Sequence, residues 1–163
     1  MNHRILPVIG LSALITGVAI PRAVAQTAKD LAGSWTLVSV TSDRDGQKSE
    51  RFGPNPKGSL MLDGNRFSIV ILRSGRPKFA SNNREAGTPD ENKAAVQGSI
   101  AYFGTYSVNG KDLVLHIEGS TFPNWEGAEQ KRHLTVAGDE LRYVNPAPST
   151  GSGTAQVVWK RAK

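Results

Sequence analysis

Gly33-Ser34-Trp35 opens the first alternating segment of the chain, and Val157-Val158-Trp159-Lys160-Arg161 forms its last. A Gly-x-Trp at the first strand and an aromatic-x-arginine at the last suit the floor of a closed antiparallel barrel. The glycine lets backbones approach, the indole plugs the narrow end, and a guanidinium can lie over an aromatic ring as a cation–π pair. Gly33, Trp35, Trp159 and Arg161 are therefore read as that floor.

Between these ends, short alternating runs are each followed by a turn signal, the pattern of an all-β barrel or sandwich. The first strand is expected at Trp35–Thr41, followed by a polar stretch from Ser42 to Glu50. The second is placed at Ser59–Leu62 and the third at Arg66–Arg73, joined by Asp63-Gly64. The third carries Phe67, Ile69 and Ile71 on one face. The fourth, Ile100–Val108, and the fifth, Asp112–Gly119, flank Asn109-Gly110, the strongest hairpin signal in the chain. The sixth is Glu129–Val136, the seventh Glu140–Val144 and the eighth Thr154–Arg161. Eight strands can close around one small ligand. Thr88-Pro89-Asp90-Glu91 is a capping box with proline at the first helical position, so a helix is expected over Pro89–Gln97. It falls in a long loop between the third and fourth strands, either as a lid or rim at the mouth or as a cover for an open edge.

The amino-terminal segment reads as a leader rather than part of the fold. Met1-Asn2-His3-Arg4 is basic, Ile5–Ile20 is apolar apart from Ser12 and Thr16, and Ala23-Val24-Ala25 is a small-x-small cleavage site. The expected division is a signal peptide at 1–25 and one domain at 26–163, exported to the periplasm or medium and not membrane-spanning after leader removal. Stability must come from burial, since the chain has no cysteine. The whole chain carries a net charge of +6. Its Lys and Arg residues are scattered without interleaved aromatics, which argues against a nucleic-acid partner. His116 and His133 lack the Cys or Asp/Glu cluster that a metal site needs. No nucleophile elbow and no phosphate-cradling glycine loop is present, and no cofactor is expected.

Four further stretches stand together: Arg51-Phe52-Gly53-Pro54-Asn55-Pro56-Lys57-Gly58, Ala101-Tyr102-Phe103-Gly104-Thr105-Tyr106, Glu118-Gly119-Ser120-Thr121-Phe122-Pro123-Asn124-Trp125, and the Gly-x-Trp start. With Pro77-Lys78-Phe79-Ala80 and Ala86-Gly87-Thr88-Pro89, the combination resembles the lipocalin-like domain family, small stand-alone bacterial and fungal proteins. The resemblance spans Leu31 to Arg161. It implies a closed antiparallel barrel of the calycin kind with eight strands, or up to ten, and little chemistry.

Two readings of the fifth strand compete. Leu113, Leu115 and Ile117 form its apolar set, which points His116 and Glu118 outward. The resemblance instead matches His116, Glu118 and Arg132 to positions where the family pattern keeps these residue types. If the loop Thr121–Gly127 folds symmetrically about Asn124, His116 faces Arg132 and Glu118 faces Gln130. A bulge near Gly119 could reconcile the two. Gln130 and Arg132 share a face with Leu134 and Val136, which argues that this face is internal. The candidate ligand-binding residues are thus His116, Glu118, Arg132, Gln130, Tyr102, Tyr106 and Trp125, with Trp125 either a plug or a ligand contact at the mouth.

The function expected from these residues is binding of a small apolar or amphipathic ligand, with one polar anchor in the lumen, by a monomer or weak dimer. The alternatives are a cofactor-independent isomerase, cyclase or dehydratase using His116, Glu118 and Arg132, and a packed barrel whose surface binds a partner. An inward His116 beside a roomy cavity favours binding or catalysis; a packed lumen favours the surface module.

Overall fold

The alternating runs become β1 (Gly33–Arg44), β3 (Lys57–Asp63), β4 (Arg66–Leu72), β5 (Ser99–Asn109), β6 (Asp112–Ser120), β7 (Glu129–Ala137), β8 (Glu140–Asn145) and β9 (Thr154–Arg161) in the computed structural model, which describes residues 27–163. The expected leader lies outside the described residues. These eight strands pair antiparallel in chain order, and β9 returns to β1, so the sheet closes on itself. One residue of each pleat pair faces inward. Phe67, Ile69 and Ile71 on β4, and Leu113, Leu115 and Ile117 on β6, join a single buried cluster with Leu60, Leu62, Leu134, Leu141 and Val157.

One short strand adds to the eight, within the eight to ten expected. Gln47–Ser49 forms β2, which pairs only with β1 across the Asp45-Gly46 turn. Both turn residues have positive φ, 53° and 80°, the backbone that a two-residue hairpin requires. The helix α2 (Pro89–Gln97) therefore follows β4 rather than a third strand. Its amino terminus is held by the Thr88–Glu91 capping box. Glu91 also accepts a 2.8 Å bond from the Ala80 amide, which ties the preceding loop to the helix. These backbone donors, from Ala80 first and then Thr88, hold the Glu91 carboxyl below its usual range. The helix rests against β5, where the Ser99 hydroxyl donates to the Ala95 carbonyl at 2.6 Å. No residue of 74–97 lines the pocket described below, and no residue of the helix is buried.

A one-turn helix, α1 (Ala28–Leu31), closes the floor. Leu31 is fully buried, and its carbonyl accepts the Trp35 indole N–H at 2.9 Å. Arg161 lies opposite Trp35 in the β1–β9 register, its guanidinium 4.1 Å from the ring centroid. It also donates to the Ala32 and Asp30 carbonyls at 2.9 and 2.8 Å. A Cβ on Gly33 would stand 3.3 Å from that guanidinium, so the glycine leaves it room. Trp159 faces Leu37 one step up the same ladder and is buried. The turns β3–β4, β5–β6 and β7–β8 cluster at this end, as shown by Tyr106 donating to Asn65, Leu134 to Lys111 and Arg161 to Asp139 along the backbone. The longer connections lie at the other end, the mouth.

Candidate ligand-binding site

The β6–β7 hairpin decides which side chains reach the lumen. The Gly127 amide donates to the Ile117 carbonyl at 2.8 Å and the Ile117 amide to Ala128 at 3.0 Å. The ladder therefore closes at Ile117, while Glu118–Ser120 runs on along β5 alone. Leu113, not His116, faces Arg132, and Leu115 faces Gln130. Relative to a hairpin symmetric about Asn124 this is a shift of three residues. An odd shift reverses the face of every side chain on one strand. His116 and Glu118 are accordingly exposed on the outside of the barrel, which corrects their expected place in the lumen. A bulge does occur, with Glu118 as the extra residue between the Phe103–Gly119 and Gly104–Ile117 pairs. It lies beyond His116 and leaves that ring outside. Glu118 instead forms a surface ion pair with Arg66 at 2.6 Å.

Arg132 is internal and 1% exposed. Its guanidinium donates to the Lys131 carbonyl at 3.2 Å and to the Gln130 side-chain oxygen, while Nε has no partner. None of the ion pairs among the described residues involves it. Tyr143 on β8 is also buried, its hydroxyl within hydrogen-bonding reach of the Tyr102 and Trp159 side chains. Burial, with Tyr102 adding to it and Arg132 opposing, pushes the Tyr143 phenol well above its usual range, so it stays protonated and can donate. The Trp159 indole N–H lies beside that hydroxyl.

The lumen holds a pocket bordered by Val40, Ile71, Ile100, Tyr102, Tyr143 and Val157, with Arg51, Phe52, Trp125 and Pro148–Thr150 towards the mouth; neither Arg132 nor Trp159 lines it. Trp125 comes from the 3₁₀ turn Pro123–Trp125 and meets Tyr102 edge-on at 5.2 Å and Phe122 at 5.8 Å. The free volume is about 40 Å³, room for a water or two. Arg51 is the single charged residue in the pocket's lining. Its guanidinium is held below the usual arginine range, first by partial burial and then by the charges of Arg73 and Arg44.

Tyr106 does not join this group. It points to the floor, where its hydroxyl meets the Ala28 carbonyl at 3.5 Å, and it corrects the expectation that both Tyr102 and Tyr106 serve the pocket. Burial, then Asp63, raises its phenol. Sequence reasoning missed Tyr143, although the inward phase Leu141, Tyr143, Asn145 was readable, and assigned Trp159 to the floor alone. His133 is exposed, with Asp112 at 3.4 Å. Among the described residues no three His, Cys, Asp or Glu side chains gather as metal ligands, and no helix is long and apolar enough to cross a membrane.

A family model described as a lipocalin-like domain matches residues 32–162, from the residue after α1 through the last strand. The chain belongs to the lipocalin-like domain family. The chain is similar to the 4'-hydroxy-3'-methoxypropiophenone carrier protein ppsC of Aspergillus oryzae, 30% identical over 106 residues that cover 58% of this chain and 96% of that protein. The lipocalin-like chain is also similar to the solved structure of wild-type fluorescent protein UnaG. There the TM-score is 0.38 at 14% identity, over 83% of this chain and all of that one. A likeness at that score carries no inference about the site.

Proposed function

We propose that the mature chain is an exported carrier, holding a small, mostly apolar aromatic molecule in the barrel lumen with its polar end inward. The observation that supports it is an apolar lumen pocket with Trp125 at its mouth and Tyr102 and Tyr143 among its walls. A pocket of mainly apolar walls with a few fixed polar groups is the usual form of a small-molecule site. The fungal relative's name describes a carrier of a phenolic ketone, a ligand of the same build. Export rests on the basic and apolar leader ending in Ala23-Val24-Ala25, and the mature amino terminus is expected at Gln26.

The narrow free space and the outward His116 speak for a filled barrel acting through its surface, where Val38, Met61, Val70 and Phe103 are exposed. Against that stands a lumen pocket with mainly apolar walls that opens at the mouth. In this carrier reading, Trp125, Phe52 and the Pro148–Thr150 segment shift to admit the ligand. The enzyme alternative loses its base, because His116 and Glu118 do not stand beside Arg132.

Titration with 4'-hydroxy-3'-methoxypropiophenone is expected to quench tryptophan fluorescence saturably, and Trp125→Phe is expected to remove most of the signal while weakening binding only about 3-fold, the loss of part of one aromatic contact. No saturable change for this ketone or for a panel of aromatic acids and amides would favour the surface module.

A further inference from the structure

We infer that the ligand's outer end is anionic, a carboxylate held at the mouth by Arg51 where the lumen meets the rim. This rests on the carrier reading and adds the chemical class of the cargo. A second cleft of about 710 Å³ lies on the rim, outside the lumen pocket. Ser42, Arg51 and Thr150 line both spaces, so they mark the passage from one to the other. The lumen's free volume of about 40 Å³ is room for a water or two. An aromatic guest therefore extends outward past these three residues. Their side chains are a guanidinium and two hydroxyls, all able to donate to an oxyanion.

The passage is fixed in place and positive. The Arg51 backbone lies in a turn closed by the Gly53 amide, which donates to the Glu50 carbonyl at 2.9 Å. Arg73 donates to the Arg51 carbonyl through both Nε and Nη2, which brings a second guanidinium to the cleft wall. Arg44 lines the same cleft. The charges that act on Arg51 are those of Arg73 and Arg44, both of its own sign. An anion beside it relieves that repulsion. The rim also carries Asp43, Asp45 and Glu50. None of them forms an ion pair with an arginine among the described residues. The Asp43 carboxylate instead accepts from the Gly46 amide at 3.0 Å.

The test compares 4-hydroxy-3-methoxycinnamate with its amide by calorimetry at neutral pH on the wild-type chain, Arg51→Gln and Lys48→Gln. Both probes carry the same phenol for the inner end and differ in the charge of the outer one. The wild type is expected to bind the acid about 10-fold more tightly than the amide in low salt, the discrimination of one charge-assisted bond. Arg51→Gln is expected to bring the two within about 2-fold without weakening the amide. Its thermal midpoint should stay near that of the wild type. Arg51 is only half-buried, and Arg73 grips its backbone carbonyl, which the substitution keeps. Lys48 lines the outer cleft alone, and Lys48→Gln is expected to hold the preference within about 2-fold of the wild-type value. A preference untouched by Arg51→Gln, or lost as fully in Lys48→Gln, overturns the seat at Arg51. Equal binding of acid and amide to the wild type overturns the anionic end and leaves the carrier standing. Failure of acid, amide and 4'-hydroxy-3'-methoxypropiophenone alike overturns both.

Discussion

Gly104→Ala is expected to lower stability by about 3 kcal/mol or more, and the thermal midpoint by roughly 10 °C, although it adds a single methyl group. A Cβ at this position would stand 1.9 Å from the His116 carbonyl oxygen and 3.0 Å from the Glu118 amide. Both atoms belong to backbone, so no side-chain rotation relieves the contact. The cause is the β6 bulge, which feeds Glu118 in as an extra residue and brings the His116 carbonyl over Gly104. To make room, β6 must part from β5 beside Ile117, a fully buried residue of the core. Ser107→Ala, an exposed change on the same strand, is expected to stay within about 0.5 kcal/mol. Urea unfolding of the two variants checks this. Equal midpoints would mean that the bulge does not press on Gly104.

Trp35→Ala is expected to cost about 4 kcal/mol, the upper range for deleting a large buried aromatic. Three losses coincide at one residue. The floor loses an indole that is 1% exposed, the Leu31 carbonyl loses its donor, and the Arg161 guanidinium loses the ring beneath it. The last two reach α1, which Arg161 also holds through Asp30 and Ala32. Limited proteolysis of Trp35→Ala is therefore expected to cut near Ala28–Leu31 under conditions where the wild type resists. Trp35→Phe keeps much of the burial but not the indole bond, and should fall between. A loss below about 1 kcal/mol for Trp35→Ala would contradict the floor as described.

Much of the barrel was legible because burial on one face enforces period-two patterning, and the hairpin dipeptides mark its turns. The short strand Gln47–Ser49 escaped notice for the opposite reason. It is exposed throughout and lies on no core, so nothing in its composition alternates. Asp45-Gly46 was its one visible mark. The lumen was harder to read. Alternation of Leu113, Leu115 and Ile117 placed His116 outside, and this proved the better guide than the family-pattern match. What sequence could not convey was the asymmetric closure of the Thr121–Gly127 loop, where the 3₁₀ turn shifts the register by an odd number. Arg132 was visible as the charge in phase with Leu134 and Val136. The meeting of Tyr143 with Trp159 depends on how side chains from β8 and β9 pack beside one another, which no single strand records.

These placements make the site a matter of apolar contact rather than of acid–base chemistry. Its walls are mainly apolar, with Tyr102 and Tyr143 among them. Binding of a suitable guest is thus expected to change the environment of Trp125 at the mouth.

The indole N–H region of a proton–nitrogen correlation spectrum reads this directly, since the chain has three tryptophans. Trp35 already donates to Leu31 and Trp159 is buried outside the pocket's lining, whereas Trp125 lines the pocket at its mouth. On saturation with 4'-hydroxy-3'-methoxypropiophenone, the Trp125 resonance is predicted to move, with Trp35 nearly still. A Trp125 resonance that stays in place while the ligand saturates would contradict an occupied lumen.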